Sequence, residues 1–298
     1  VQTESSALDA PSARALAAAL RRMPALRALE LAHMAVSNAG AGELFCASSA
    51  EVAPQLRTLR LVDASFSPAA TRALAATGWR LEELNLGVND RLGAAGVAAL
   101  VAAPTFAIRR LKLARCGLDA AALLSVANAP WPLEELDFWG NDLNDAAAAP
   151  ALAALSRHRG LHRLDLSRSR LSAAGVKALV EAAWPALTSL VASFASVDFD
   201  GPHALGAAAF AGFPALEELY LAGAKFGEAG AALLASQSWA RLRVLSLRCC
   251  WIGDAGVAAL ARGVWPALEV LNVSDNGLGA PLELEEARRW APALVRLS

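Results

Sequence analysis

One short motif recurs along almost the whole chain and constrains the fold more than any other feature of the sequence. It reads LxxLxL or a close variant, and successive copies begin 25 to 30 residues apart. The copies begin at Leu26, Leu56, Leu81, Ile108, Leu133, Leu161, Leu187, Leu216, Leu242, Leu268 and Leu294, where the last copy is cut short. A repeat of this length cannot bury its own apolar face, so neighbouring copies must stack into a shared core.

Each repeat has two halves with different periodicities. Counting from the first Leu or Ile, the apolar fourth and sixth residues alternate with a mostly polar fifth residue and an outward seventh, which is the period of a strand with one buried face. The later half, such as AGVAALVAA, places Val97, Leu100 and Val101 at helical spacing. We therefore predict one strand and one helix in every repeat.

The turn after the strand carries a second signature. The ninth residue is Asn, Cys or small, and an apolar residue follows near the eleventh, as in CGL, NDL and NGL. This pattern resembles leucine-rich-repeat proteins of the ribonuclease-inhibitor-like subclass, and the helical halves are similar to its alanine-rich GALA variety. The resemblance implies an α/β leucine-rich-repeat solenoid, or horseshoe, with a parallel β-sheet on the concave face and α-helices on the convex face. It also implies a protein-binding scaffold.

The domain organisation follows from the evenness of the repeats. No Pro/Gly/Ser-rich linker interrupts the chain, so we predict a single domain over residues 1–298. Residues 1–25 are interpreted as an N-terminal capping helix or partial repeat, 26–293 as ten repeats, and 294–298 as a truncated repeat or a closing strand. Since the chain begins at Val1, it is interpreted as part of a longer protein, and a removed signal sequence remains an alternative.

Composition excludes several classes of protein. The formal net charge is -1, with 27 basic and 28 acidic residues interspersed, which argues against a nucleic-acid or membrane-surface binder. No strongly apolar run is long enough to span a bilayer. Four cysteines without CxxC spacing favour a reducing compartment, so we expect a cytoplasmic protein that is monomeric as an isolated domain.

No catalytic, metal or cofactor signature stands out. The four histidines lack ligand spacing, and DFDGPH at 198–203 lacks the later ligands of a calcium loop and is interpreted as a turn. Cys116 and Cys250 occupy the ninth position and are interpreted as structural. The sequence therefore predicts no enzyme, no metal and no cofactor.

Several unusual residues have structural explanations. The tryptophans that precede repeat starts are predicted to be buried plugs where each helix returns to the next strand: Trp79, Trp131, Trp184, Trp239, Trp265 and Trp290, with Phe106 and Phe213 in the same slot. Charged residues at the third position alternate in sign over successive repeats and predict a ladder of ion pairs: Glu83, Arg110, Glu135 and Arg163.

Trp139 has no such explanation. It occupies the seventh position, which is small in most repeats and should project from the sheet. Arginine occupies the eighth position in the flanking repeats, and further aromatic and arginine residues follow. We predict a partner-binding cluster along one edge of the inner face: Arg115, Trp139, Arg168, Arg170, Phe194, Tyr220 and Arg248. The alternative is that the Trp139 ring shields its small neighbours Ala114 and Ser167.

The predicted function is a non-enzymatic scaffold that binds a protein partner through the concave face. The arginine excess favours a partner with an acidic segment. Two alternatives remain open. One is a leucine-rich-repeat activator of small GTPases, for which Arg91 in GVNDRLG is the candidate residue, and the other is a structural segment of a longer repeat scaffold.

Overall fold

The computed structural model describes residues 7–45, 52–144, 146–193 and 209–298. The chain divides into two compact units, Val1–Asp142 and Leu143–Ser298. Each unit is built from strand and helix repeats, and the single domain over residues 1–298 stays a prediction. Among the described helices, none is long and apolar enough to cross a membrane.

The first unit alternates helices and strands from its N-terminal helix onward. The helices are α1 (Ala10–Arg21), α2 (Asn38–Leu44), α3 (Pro68–Ala75), α4 (Gly93–Val101) and α5 (Ala120–Ala127). The strands are β1 (Ala28–Glu30), β2 (Thr58–Arg60), β3 (Glu83–Asn85), β4 (Arg110–Lys112) and β5 (Glu135–Asp137). All five strands pair in parallel and in chain order, so each repeat adds one strand to the growing sheet.

The second unit continues the same pattern. Its helices are α6 (Ala148–Leu155), α7 (Ala173–Glu181), α8 (Gly227–Ala235), α9 (Gly253–Leu260) and α10 (Leu284–Ala287). Its strands are β6 (Arg163–Asp165), β7 (Ser189–Val191), β8 (Glu218–Tyr220), β9 (Val244–Ser246), β10 (Val270–Asn272) and β11 (Arg296–Leu297). These strands are also parallel and in chain order, and the last copy of the motif forms β11 against β10.

The predicted strand-and-helix repeat is confirmed, and with it the α/β leucine-rich-repeat solenoid. Every strand covers the third to fifth positions of its motif, apart from the two-residue β11. The fourth residue points inward and is buried, as Leu136 shows, while the third and fifth residues point away from the helices. Helix residues such as Val97 and Leu100 are fully buried and close the core from the other side. Each such side chain contributes about 2 kcal/mol through burial.

The tryptophan plugs are buried as predicted. Trp79, Trp131, Trp184, Trp239 and Trp265 are each at most 4% exposed, and only Trp290 is half-buried. Several of the indole N–H groups donate to backbone carbonyls, for example from Trp265 to Leu260 O at 2.9 Å. An aromatic ring therefore fills the space where the chain turns from a helix into the next strand.

The ninth position forms a buried polar contact between repeats. The Asn141 side-chain oxygen accepts from the backbone N–H groups of Cys116 and Leu118, at 3.0 and 3.1 Å. Its amide nitrogen donates to Leu113 O at 2.8 Å and to Phe138 O at 2.9 Å. Asn89 and Asn276 make the same four hydrogen bonds, each with its own turn and with the preceding repeat. One buried amide thus satisfies four backbone groups that strand pairing leaves unused.

Cysteine takes the same position in two repeats. The thiol of Cys116 donates to Leu86 O at 3.0 Å, and the thiol of Cys250 donates to Leu221 O at 3.0 Å. Burial raises the pKa of each thiol to about 12, so both are uncharged at neutral pH. Their structural role agrees with the sequence interpretation, whereas Cys46 lies outside the described residues.

Replacing one of these asparagines should destabilise the chain. We expect Asn141→Ala to lower the free energy of unfolding by about 3 kcal/mol, because four buried backbone groups lose their partner. Urea unfolding followed by circular dichroism measures the change. The matched control is Asn128→Ala, at an exposed helix end. It should change stability by less than about 0.5 kcal/mol, and equal effects of the two substitutions would contradict the assignment.

Candidate protein-binding surface

The side chain at the eighth position of the repeat projects from the edge of the sheet where the strands end. Its backbone is left-handed in nine repeats, with φ of 51° at Arg115 and 53° at Arg168. The nine residues are His33, Asp63, Val88, Arg115, Gly140, Arg168, Gly223, Cys249 and Asp275. This conformation costs an L-residue about 1 kcal/mol. The buried ninth residue holds it in place, so the eighth side chain is turned away from the core.

Arg115 and Trp139, two of the predicted binding residues, contact each other in the first unit. The guanidinium carbon of Arg115 lies 5.9 Å from the centroid of the Trp139 ring, a cation–π arrangement. Gly140 makes room for it, since a Cβ at that position would lie 2.9 Å from Cγ of Arg115. The Trp139 ring is half-buried, and the pair is organised before any partner binds.

An open depression of about 580 Å³ lies beside this pair. Its lining comes from the turns of successive repeats: Asp63, Ser65, Val88, Asp90, Arg91, Arg115, Gly117 and Gly140. Val88 has φ of 62° and is 40% exposed, which is an unfavourable backbone conformation for a β-branched residue. The strain at Val88 could not be predicted from the sequence, because the backbone angle is set by the turn and not by Val88 itself.

The other predicted residues divide between two faces of the second unit. Arg168 and Arg170 are exposed at the strand ends, both with left-handed backbones. Arg248 is held by Asp275, with 2.7 Å between Nε and Oδ2, and that hydrogen bond raises the pKa of Arg248 and lowers that of Asp275. Tyr220 lies on the sheet face at the fifth position of its repeat, away from the edge. Phe194 lies outside the described residues.

The predicted charge ladder is present on the sheet face of the first unit. Glu83 lies opposite Arg110, and Arg110 lies opposite Glu135, as the sequence analysis expected. Glu83 accepts from Arg60 at 2.8 Å and from Arg110 at 3.0 Å. Arg163, the fourth predicted member, belongs to the second unit. On the first unit, the charges of the sheet face are therefore largely satisfied by one another.

Glu83 is the most buried carboxylate of this ladder, with 12% of its side chain exposed. Burial favours the neutral form and would raise its pKa, but the hydrogen bonds from Arg60 and Arg110 outweigh burial. The pKa of Glu83 therefore lies below its ordinary value of 4.5. Glu83 stabilises the fold in its charged form, with a guanidinium on either side.

The sheet face of the second unit is different in character. Val191 lies opposite Tyr220, and Val244 lies opposite Val270. Tyr220 and Val244 are diagonal neighbours on adjacent strands, within reach of an aromatic ring. We call these four half-buried residues the Tyr220 patch: Val191, Tyr220, Val244 and Val270. Uncharged Ser246 and Asn272 lie beside it.

Sequence reasoning identified Tyr220 but missed the three valines. The signal was available, because the third and fifth positions of the motif are charged in most of the early repeats and lose their charges in the late ones. Burial raises the pKa of Tyr220 above its ordinary value, nearby Glu218 adds to this shift, and Arg163 opposes it. The Tyr220 phenol is therefore neutral and is placed among groups of both charges.

A metal site is not evident in the part of the chain that the structure describes. Over these residues, no group of three or more His, Cys, Asp and Glu side chains could hold an ion. His33 lies 3.2 Å from Asp63 Oδ2, but both side chains are exposed and no third ligand joins them. His203 and the DFDGPH turn lie outside the described ranges.

Comparisons with known proteins agree with this architecture. The family described as Leucine Rich repeat matches residues 242–261, which cover most of one repeat. A ribonuclease inhibitor from Sus scrofa is 35% identical over 157 residues, which are 50% of this chain and 34% of that protein. The chain is therefore similar to leucine-rich-repeat proteins and, over half its length, to a ribonuclease inhibitor. It spans about a third of the length of that relative.

Solved structures similar to this leucine-rich-repeat protein are more distant. A chain in the crystal structure of the Rad7 and Elc1 complex in yeast has a TM-score of 0.49 and 17% identity, with 95% of this chain and 75% of that one covered. A chain in the crystal structure of the TLR13–ssRNA13 complex has a TM-score of 0.47 and 20% identity, with coverage of 95% and 33%. Likenesses at this level carry no argument about function.

The charge ladder predicts a pH-dependent effect of Glu83→Gln. At pH 7 the substitution should lower the free energy of unfolding by about 2 kcal/mol, because two guanidinium groups lose a charged acceptor. The pKa of Glu83 is lowered on folding, so its contribution is complete above pH 4.5 and is lost as pH falls through the folded-state value. Urea unfolding across this range measures the gap between wild type and variant.

That gap should close in acid, where Glu83 is protonated, and a gap independent of pH would contradict the ion-pair assignment. Glu269→Gln is the matched control, since Glu269 also pairs with an arginine, Arg243, but on the exposed surface. Its effect at pH 7 should be much smaller, because solvent screens exposed pairs.

The strained turn predicts that Val88→Gly stabilises the chain. Glycine adopts a left-handed backbone without steric cost, so we expect the free energy of unfolding to rise by about 0.5 to 1 kcal/mol. Val264→Gly is the control, because Val264 is exposed but is not among the left-handed residues. It should lower stability, since glycine only adds freedom to the unfolded chain. Thermal unfolding measures the change in stability that each substitution causes. If both substitutions changed stability in the same direction, the strain at Val88 would be contradicted.

Proposed function

We propose that this chain is a non-enzymatic scaffold that binds a protein partner through the sheet face opposite the helices, the face that the repeat pattern predicts to be concave. The observation that carries the proposal is the Tyr220 patch. It places one aromatic and three aliphatic side chains, all half-buried, on a face made otherwise of polar and charged residues. Protein interfaces have this anatomy, with an apolar and aromatic centre inside a polar rim.

The contrast with the first unit supports this location. There Glu30, Arg60, Glu83 and Arg110 form a chain of ion pairs across the sheet. A partner docking on that network must desolvate charges that already have partners, and it gains little from them. On the Tyr220 patch, contact instead removes apolar surface from water, which is favourable.

The rigidity of the face also favours binding. The patch residues lie on strands that pair in fixed register, with Leu190, Leu219, Leu245 and Leu271 buried beneath them. Little conformational entropy is lost when such a surface is covered. The similarity to a protein named ribonuclease inhibitor supports a protein as the partner, since that relative acts, by its name, on an enzyme.

The two alternative functions stay predictions. Arg91, the candidate residue of a small-GTPase activator, is exposed in the depression of the first unit beside Asp90. Strand β11 pairs with β10, which neither favours nor opposes a longer repeat scaffold. The sheet face carries more specific support for partner binding, because its composition changes at the late repeats while the fold does not.

Site-specific crosslinking tests the proposal. A photoreactive phenylalanine analogue placed at Tyr220 should form a covalent adduct with a protein from the native extract. The same analogue at Glu228, exposed on helix α8 of the same repeat, is the matched control and should not form that adduct. Excess unlabelled wild type should compete for the partner, and Tyr220→Ala should compete at least about tenfold less well.

Two results would contradict the proposed binding face. One is an identical adduct pattern at both positions, and the other is equal competition by wild type and Tyr220→Ala.

A further inference from the structure

One stretch of the second unit, around strand β6, is strongly basic. Residues 156–171 contain five arginines and two histidines, and Asp165 is their only acidic residue. Six of these side chains are exposed, and we call them the basic stripe: Arg157, Arg159, His162, Arg163, Arg168 and Arg170. They follow the chain from the loop after α6, across the sheet face at β6, to the turn beyond the strand.

The fold does not require these charges. Where the stripe has Arg157, Arg159 and Arg163, the next repeat has Ala183, Pro185 and Ser189. His158 also replaces the aromatic plug that other repeats carry in the return loop. Repeat stacking is therefore compatible with neutral residues at these positions, and it cannot explain five neighbouring arginines that repel one another.

Within the described residues, three arginines of the stripe lack the ion pairs that the first unit's ladder has. Arg157, Arg159 and Arg163 make no ion pair with any residue that the structure describes. On the neighbouring strand β7, Arg163 lies opposite Ser189 and not opposite a carboxylate. Guanidinium forks suit a ligand rich in carboxylate oxygens.

The stripe adjoins the Tyr220 patch. Arg163 acts electrostatically on Tyr220, and Ser189, opposite Arg163, donates to Glu218 at 2.8 Å. Val191 of the patch lies two residues along the strand from Ser189. A ligand that covers the stripe therefore reaches the edge of an apolar and aromatic surface.

We propose that the basic stripe binds an extended acidic segment of the protein partner, running along β6, with apolar side chains of that partner covering the Tyr220 patch. This inference rests on the proposed function and names the chemistry of the partner. The chain from Arg159 to Arg168 spans at most about 30 Å, so an extended segment of about nine residues is long enough to cover it. Alternate side chains of such a segment face the same way and can meet successive arginines.

The surroundings favour an acidic polypeptide over a nucleic acid. The stripe is one repeat wide, and acidic Glu217 and Glu218 stand two repeats further along the same sheet. A nucleic-acid strand gains affinity by neutralising many phosphates over a broad basic surface. Such a surface is not built from one basic repeat with acidic residues close by.

Direct binding of defined probes tests the inference. The probe is a fluorescent decapeptide in which glutamate alternates with serine, and its counterpart carries glutamine for glutamate. Wild type should bind the glutamate peptide and not the glutamine peptide, as measured by fluorescence anisotropy. Affinity should fall when ionic strength rises from about 0.01 to 0.15 M, because the screening length shortens from about 30 to 8 Å.

Two triple variants with the same change in net charge locate the site. Arg157→Glu, Arg159→Glu, Arg163→Glu should weaken binding of the glutamate peptide at least about tenfold. Arg241→Glu, Arg262→Glu, Arg289→Glu changes exposed arginines elsewhere in the second unit and should stay within about twofold of wild type. Circular dichroism and thermal unfolding verify that both variants are folded.

Each remaining outcome overturns a defined part of the account. Equal weakening of binding in the two triple variants, or no binding of the glutamate peptide by wild type, overturns the stripe as a binding site. The sheet-face function tested by crosslinking at Tyr220 would not be affected. Tighter binding of a ten-nucleotide thymidine strand than of the peptide overturns the polypeptide ligand in favour of a nucleic acid. If the stripe binds the peptide but no adduct forms at Tyr220, the proposed sheet-face function fails instead.

Discussion

The buried residue at the ninth position of most described repeats is the constraint on which the rest of the molecule depends. A strand of three residues makes few hydrogen bonds, and the sharp turn after it leaves backbone groups inside the core. Asn141 satisfies four of those groups with one side chain, and three of them belong to the preceding repeat. The same contact therefore closes its own turn and ties that turn to the preceding repeat.

The left-handed eighth residue follows from this constraint. Because the ninth side chain must enter the core, the residue before it adopts a positive φ and points its side chain outward, whatever its identity. Arg115, Val88 and Arg168 hold this conformation although glycine would suit it better. A repeat fold thus offers one projecting position per repeat at the strand ends, along with the third and fifth positions on the sheet, and these positions can vary without disturbing the core.

The sequence predicts the parts of this structure that depend on local periodicity. The motif at Leu133 is sufficient to place β5, and Trp265 could be recognised as a plug because other repeats carry an aromatic residue in the same slot. Contacts between side chains of different repeats were harder to predict. The stacking of Arg115 on Trp139 needs the space left by Gly140, and the pairing of Arg248 with Asp275 depends on how two turns align. The Tyr220 patch emerges only when Val244 and Val270 are placed beside it by strand register.

The central claim is that a protein partner covers the sheet face around Tyr220. This residue is the only tyrosine of the chain, so a tyrosine-selective reagent reports on that face alone. The decisive measurement is the rate of Tyr220 nitration, followed by mass spectrometry, with and without the partner bound. The half-buried phenol should react in the free chain and become protected in the complex. An unchanged rate with the partner fully bound would show that binding occurs elsewhere on the molecule.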